Sequence, residues 1–416
     1  MLLMNPAHTG ADGGIAETAF SLLDYCSRNN WAGYDPYDAL NSRVFNSTPL
    51  AGSRICRIAM TQILKRLPVN IRPFLLIDRE QNPKALALFL SAFIRLARLG
   101  LLADEKLIDR MIERLESLRA ADNPYWCWGY SFPWQTRTVL VPRGYPNLVC
   151  TVFTAQALLD TYEHTGRTRC LEMAKSAADY ILDKLYWTDS ESVSGFSYPL
   201  PNLQIRVHNA NFLGAALFCR IAQQTGEEKF LEPALKVARY SAARQQEDGS
   251  WDYGESATQR WVDNFHTGYN LCALRDINRY AGTDEFAPHI DKGYRFYIDN
   301  FFRPDGAPKY FHNRVYPLDV HSVAQSIITL LELKDLDTRS VSRAMAVYDW
   351  AMANLWDNRG YFHYHIQPLF TNRLSYMRWS QAWMLLALSV FLGQGGREDS
   401  APAGGPAFSN EINEVQ

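Results

Sequence analysis

Three histidines, His208, His266 and His321, stand 58 and 55 residues apart, each where a polar, aromatic loop gives way to an apolar run. Aspartates precede two of them: Asp263 lies three residues before His266, and Asp319 two before His321. Such groups exchange protons with a bound substrate, and two carboxylates can share the acid and base roles of glycoside hydrolysis, their separation deciding inversion or retention. The same aspartates are also preferred helix N-caps. Asp252 and Glu255 are further acid candidates. A second chemistry draws on His208, His266, Tyr269, Asn209, Asn211 and Arg206. An amide or cation would neutralise a uronate carboxyl while His or Tyr moves the adjacent proton, as in a lyase or a C5 epimerase. Trp126, Trp128, Trp134, Trp251, Trp261 and Trp379 are candidate platforms for sugar rings. Arg137, Arg143, Arg206, Arg314 and Arg378 could hold an anionic sugar, a lipid-linked diphosphate or a nucleotide. Zinc-type ligand spacing is missing, so neither a metal nor a cofactor is expected.

The elements that must position these groups repeat. A turn with glycine, aromatic residues and then a helix recurs at Gly129, Gly195, Gly249, Gly306 and Gly360, at intervals of 66, 54, 57 and 54 residues. That period accommodates two helices and their connections. The next helix enters near Asn147, His208, His266, His321 and Trp379. In each pair the first helix is apolar around its circumference and the second is amphipathic, which predicts an inner ring inside an outer one. Hairpins are expected at 148–164 with 167–185, 208–224 with 227–245, 266–280 with 284–300, and 320–333 with 337–355. Helices at about 82–99 and 104–120 make a fifth pair. The last helix, 376–392, pairs with the first, 15–29, and closes the ring. Residues 1–14 are expected to be loose, 15–392 to form a single domain, and 393–416 to be disordered.

Composition narrows the function classes. The 416 residues carry a net charge of −2 with 21% charged residues and no long basic block, which sets nucleic-acid binding aside. Seven scattered cysteines show no CxxC pair or disulfide-like spacing, as in a reducing compartment. The first residues lack the charged and apolar regions of a secretory signal. The apolar run Trp383 to Leu392 falls short of the ~20 residues that span a bilayer. A cytoplasmic protein without a membrane span is expected; its oligomeric state is not legible.

A ring of six helical hairpins resembles the (α/α)6 toroid of six-hairpin glycosidase-like enzymes. Four motifs, Tyr34-Asp35-Pro36-Tyr37-Asp38, Arg72-Pro73-Phe74-Leu75, Trp128 to Gln135 and Asp263 to Gly268, look like those of uncharacterised bacterial proteins of surface-polysaccharide biosynthesis. The resemblance implies a saccharide, free or linked to a lipid or nucleotide, as substrate. Gln246-Glu247-Asp248-Gly249-Ser250-Trp251 is similar to the repeat of squalene-hopene-type terpene cyclases, although the Asp-x-Asp-Asp acid motif of that family is absent. The expected function is therefore a carbohydrate-active enzyme of surface-polysaccharide metabolism with glycosidase-like acid and base chemistry. Asp263, Asp319, His266, His208 and His321 are its catalytic candidates. Lyase or epimerase chemistry, a terpene-cyclase-like toroid and a non-catalytic saccharide-binding protein are the alternatives.

Overall fold

A computed structural model describes residues 13–394. Fourteen α-helices follow one another: α1 (Gly13–Arg28), α2 (Arg43–Asn46), α3 (Arg54–Arg66), α4 (Pro83–Arg98), α5 (Lys106–Ser117), α6 (Leu148–Thr165), α7 (Thr168–Tyr180), α8 (His208–Thr225), α9 (Leu231–Ala242), α10 (Asn264–Ala281), α11 (Ala287–Phe301), α12 (Val320–Glu332), α13 (Ser340–Asn354) and α14 (Trp383–Leu392). A π-helical turn, Met377–Ala382, leads into the last. Helices α4, α6, α8, α10, α12 and α14 pack each on the next, and α14 returns to α4, which closes an inner ring. Helices α5, α7, α9, α11 and α13 each back the preceding inner helix, and α1 backs α14. This is the (α/α)6 toroid. The inner helices are buried nearly all round, α12 from Val320 to Leu331 without interruption. Of the expected loose segments, most lie outside the described residues; Gly13 and Gly14 begin α1, and Gly393 with Gln394 ends the last turn.

Local chemistry sets the ends of the hairpins. Asn147, Asp263 and Asp319 accept backbone N–H bonds as N-caps of α6, α10 and α12. Gly166, Gly226 and Gly282, at positive φ, stop α6, α8 and α10 after 18 residues each. The repeating turn glycines have a packing reason. A Cβ would lie 2.4 Å from the Lys292 carbonyl oxygen at Gly249 and 2.5 Å from that of Ala346 at Gly306. At Gly360 the contact is Ser21 O, 2.9 Å away. Each turn therefore presses its backbone onto the outer helix of the following hairpin, α11, α13 and finally α1. Only glycine permits both that approach and the positive φ.

Two features add to the hairpin scheme, and in the second α3 matches the helix that the sequence places at about 53–66. Short antiparallel strand pairs brace the loops, among them Tyr186–Ser190 with Val193–Phe196, and Leu318–Asp319 with His365–Ile366. A small lobe, residues 38–77, stands outside the hairpin scheme with its own cluster of Ala39, Leu64 and Ile77.

Candidate active site

The N-terminal ends of the inner helices surround a cavity of about 370 Å³. Its wall is mostly aromatic, with Tyr130, Tyr198, Tyr253, Tyr269 and Tyr310 beside Trp134, Trp261, Phe265 and Trp379. Its polar groups are Lys65, Lys84, Asn209, Asp263, His266, His321 and Arg378. Asp263 is the sole carboxylate among these lining residues.

Asp263 is buried and its oxygens divide their work. Oδ1 accepts the His266 backbone N–H at 3.0 Å as the α10 cap. Oδ2 faces His266 Nδ1 at 2.8 Å and accepts the Trp261 indole N–H at 3.0 Å. The imidazole is at the third helical position, from which a side chain can reach back to the cap residue. That contact orients the ring and leaves Nε2 as its nitrogen without a protein partner among the described residues. Tyr253, stacked on Trp261 at 4.6 Å, packs against His266 from the other side.

His321 behaves differently. Burial pushes its pKa well below the usual imidazole range, helped by the Lys84 and Arg378 charges. A neutral ring results. Its Nε2 meets the Tyr269 hydroxyl at 2.6 Å, while Nδ1 has no partner among the described residues. Burial pushes the Tyr269 phenol well above its usual value, so it stays protonated. The ring of Phe265 lies between the histidines, 4.3 Å from His266 and 4.6 Å from His321.

Asp319 caps α12 through the His321 backbone N–H at 2.8 Å and accepts the Trp379 indole N–H at 3.0 Å. It is absent from the cavity wall and lines an adjoining recess of about 330 Å³. Lys65, Tyr310 and Phe311 belong to both spaces. Burial pushes the Asp319 carboxyl up to about 7, against the hydrogen bonds that favour its anion.

The cations stand on the side facing α4 and the 377–382 turn. Arg378 is held by Asp35 through two bonds of 2.6 and 2.8 Å and lies over the rings of Tyr130 and Phe132. Lys65 donates to the Tyr37 hydroxyl at 2.6 Å. Lys84, fully buried, has no carboxylate partner among the described residues and sits 4.2 Å above the Phe153 ring. Burial lowers its pKa well below the ordinary lysine value. Asn209 offers a buried side-chain oxygen with no partner among the described residues.

Of the expected site residues, the cavity thus brings together Asp263, His266, His321, Asn209, Tyr269, Trp134, Trp261, Arg378 and Trp379. Others lie outside the wall of this cavity. His208 Nδ1 pairs with the Ser241 hydroxyl at 3.3 Å behind the wall, and burial pushes its pKa down to about 4. Asn211 bonds the same hydroxyl and the Phe196 N–H. Trp128 and Trp251 donate to the Leu115 and Ser241 carbonyls. Trp126 lies beside Arg119 and Arg169. Arg206 pairs with Glu255 and Asp189. Asp252 faces a separate outer recess with Arg260 and Arg314.

Sequence reasoning passed over Lys65, Lys84 and five cavity tyrosines. For all but Tyr37 a signal existed: Tyr130, Tyr198, Tyr253 and Tyr310 follow the repeat glycines Gly129, Gly195, Gly249 and Gly306 by one to four residues. The repeat that shapes the ring thus also delivers a phenol to its centre after four of its five turn glycines. Lys84 carried no such mark, since it reads as an ordinary first-turn residue behind Pro83. Among the described residues no cluster of His, Cys, Asp and Glu could hold a metal ion.

No protein-family model and no curated protein matches this chain. Solved structures do match. A cellobiose 2-epimerase from Bacillus thermoamylovorans superposes with a TM-score of 0.60 at 11% identity, over 76% of this chain and 88% of its own. A family 76 glycoside hydrolase (mannosidase) from Bacteroides thetaiotaomicron gives 0.60 at 14%, over 92% of this chain and 100% of its own. An unsaturated glucuronyl hydrolase specific for heparin gives 0.59 at 10%, over 92% and 97%. The chain thus has the fold of the six-hairpin glycosidase-like toroids.

Proposed function

We propose that this chain is a carbohydrate-active enzyme that carries out acid and base chemistry on a saccharide in the central cavity, with Asp263 and His266 as its proton-transfer pair. The observation that carries the reading is an imidazole fixed by a buried carboxylate at 2.8 Å, its other nitrogen unpaired, in an aromatic cavity with one carboxylate in its wall. A site with a single carboxylate suits removal of a carbon-bound proton beside a carbonyl or carboxyl group. His266 Nε2 takes the proton, and the electron pair moves onto the neighbouring oxygen. Arg378, Lys65 and Asn209 surround the space where that charge develops. Asp263 stabilises the imidazolium so formed. Tyr269, one turn further along α10 and backed by neutral His321, returns a proton to the carbon in an epimerase or protonates a departing oxygen in a lyase. The structurally similar proteins include a cellobiose epimerase, which supports the first outcome, and glycoside hydrolases.

Hydrolysis is the second reading. Asp319, with its pKa raised to about 7, has the protonation expected of a general acid, and Asp263 would then be the base. It requires Trp379 to move, because that indole covers Asp319. The adjoining recesses that share Trp261, Tyr310 and Phe311 with the cavity give room for more than one sugar ring. A biosynthetic role in surface-polysaccharide metabolism, in the cytoplasm, completes the proposal; it rests on the motif resemblances and on seven cysteines that are all unpaired. The terpene-cyclase and non-catalytic alternatives receive less support. Charged groups line the cavity, whereas cyclisation of a hydrocarbon calls for an apolar one, and a pure binding site has no use for an oriented acid–base pair. The test is turnover of neutral and uronic-acid oligosaccharides followed by nuclear magnetic resonance. An isomerised or unsaturated product that disappears in His266→Ala supports the reading. Full activity in that variant would end it.

A further inference from the structure

The lobe before α4 has a surface unlike the rest of the molecule. From Ala39 to Ile77 there is no acidic residue, while Arg43, Arg54, Arg57, Lys65, Arg66 and Arg72 give six cations. Exposed large apolar side chains concentrate in the same stretch: Val44, Leu50, Ile55, Ile63, Val69, Phe74 and Leu76, with Phe74 at 82%. Helix α3 orders part of this surface. Ile55 (73% exposed) and Ile63 (56%) stand eight residues apart with exposed Ala59 midway, a spacing that places all three on one helical face. The opposite face buries Thr61 and Leu64 against the lobe's own small core. Neither Arg54 nor Arg66, at the two ends of the stripe, has a carboxylate partner among the described residues, and both are exposed.

We propose that this lobe docks the protein on an anionic lipid surface, with Ile55, Ala59 and Ile63 entering the headgroup region and Arg54 and Arg66 meeting lipid phosphates. An apolar stripe flanked by cations suits such an interface, since burial of the stripe and attraction to anionic lipid add. A soluble protein partner would have to supply an acidic rim around an apolar groove; a second copy of this chain lacks acids on the matching surface, so the charges favour lipid. Helix α3 also supplies Gln62, Lys65 and Arg66 to the recess that opens beside the central cavity. Docking therefore brings that recess close to a saccharide carried on a lipid. The docking claim does not depend on the catalytic reading.

The test is sedimentation of the full chain with vesicles of phosphatidylcholine, with and without phosphatidylglycerol. Binding to the anionic vesicles alone, weakened by salt, is expected, and Ile55→Asp with Ile63→Asp should lower the partition about tenfold or more. Both side chains are exposed, so the thermal melt should not change. If the double variant does not fold, Arg54→Gln with Arg66→Gln replaces it and should reduce the preference for phosphatidylglycerol. Absence of wild-type binding, or binding equal in both variants, overturns the proposal. So does a stripe-dependent dimer in analytical ultracentrifugation without vesicle binding, which would make the lobe an interface between copies.

Discussion

The N-termini of α10 and α12 start from nearly the same residues and end with different chemistry. Both helices are capped by a buried aspartate, and both place a histidine in the first turn. In α10 the spacing is three, so the His266 ring folds back onto the Asp263 carboxylate. In α12 the spacing is two. His321 gives its backbone N–H to Asp319 and turns its ring to Tyr269, while the carboxylate pairs with Trp379. One residue of register thus separates an oriented base facing the cavity from a neutral imidazole that holds a phenol. It also separates a carboxylate that lines the cavity from a buried one raised to about 7. A third helix, α8, begins with His208 but has no capping side chain, and its histidine turns to the Ser241 hydroxyl away from the cavity wall.

The largest effect should come from breaking the α10 pair. His266→Ala is expected to lower kcat/KM by about 10²- to 10⁴-fold. Asp263→Asn keeps one oxygen for the α10 cap but removes the charge and the acceptor of the Trp261 N–H, so turnover should fall by a similar factor at a stability cost of about 1–3 kcal/mol. The double variant should be little worse than either single one, since the two act as a unit. Steady-state kinetics on the three proteins check all of this. Additive losses would separate the roles of the two residues.

The α12 aspartate should appear in stability instead. Its folded pKa of about 7 lies above the ordinary 3.8 of the unfolded chain. The folded state therefore holds an extra proton between those values. The resulting stabilisation is full below about pH 4 and is lost as pH rises through about 7, changing by on the order of 1.4 kcal/mol for each pH unit between the two values. Asp319→Asn retains acceptors for both N–H groups and removes the titration. Urea unfolding at pH 5 and 8 should show the variant gaining on the wild type at the higher pH.

Smaller effects complete the contrast. Tyr269→Phe leaves His321 Nε2 without its partner and should cost about 1–3 kcal/mol of stability, together with lost turnover. His208→Gln should leave turnover unchanged. His208 titrates in the opposite sense from Asp319, because its folded value of about 4 lies below the ordinary 6.5. Its contribution is present above pH 6.5 and is lost as pH falls through 4, so the variant should be less sensitive to acid over that window. Thermal melts across the range test it.

The ring was legible because its causes are local and repeated. Turn glycines, polar caps and all-apolar inner helices recur with one period, and each states its own reason in the sequence. The site was legible only at its helix entries. Spacing gave His208 and Asp319 the same standing as His266 and Asp263, because contact with Ser241 on α9 or Trp379 in the 377–382 turn depends on packing between elements distant in sequence. Tryptophans attracted attention by size, whereas Trp128 and Trp251 were already committed to backbone carbonyls. Lys84 and the lobe at 38–77 lay outside the repeat, and periodicity was silent about both.

The most direct test of the central claim is incubation of the protein with reducing and uronic-acid oligosaccharides in deuterium oxide, followed by proton magnetic resonance of the sugars. The account predicts deuterium on the carbon next to a carbonyl or carboxyl group, with the signal lost in His266→Ala. New reducing ends without carbon-bound deuterium would contradict it and leave hydrolysis by Asp263 and Asp319 in its place.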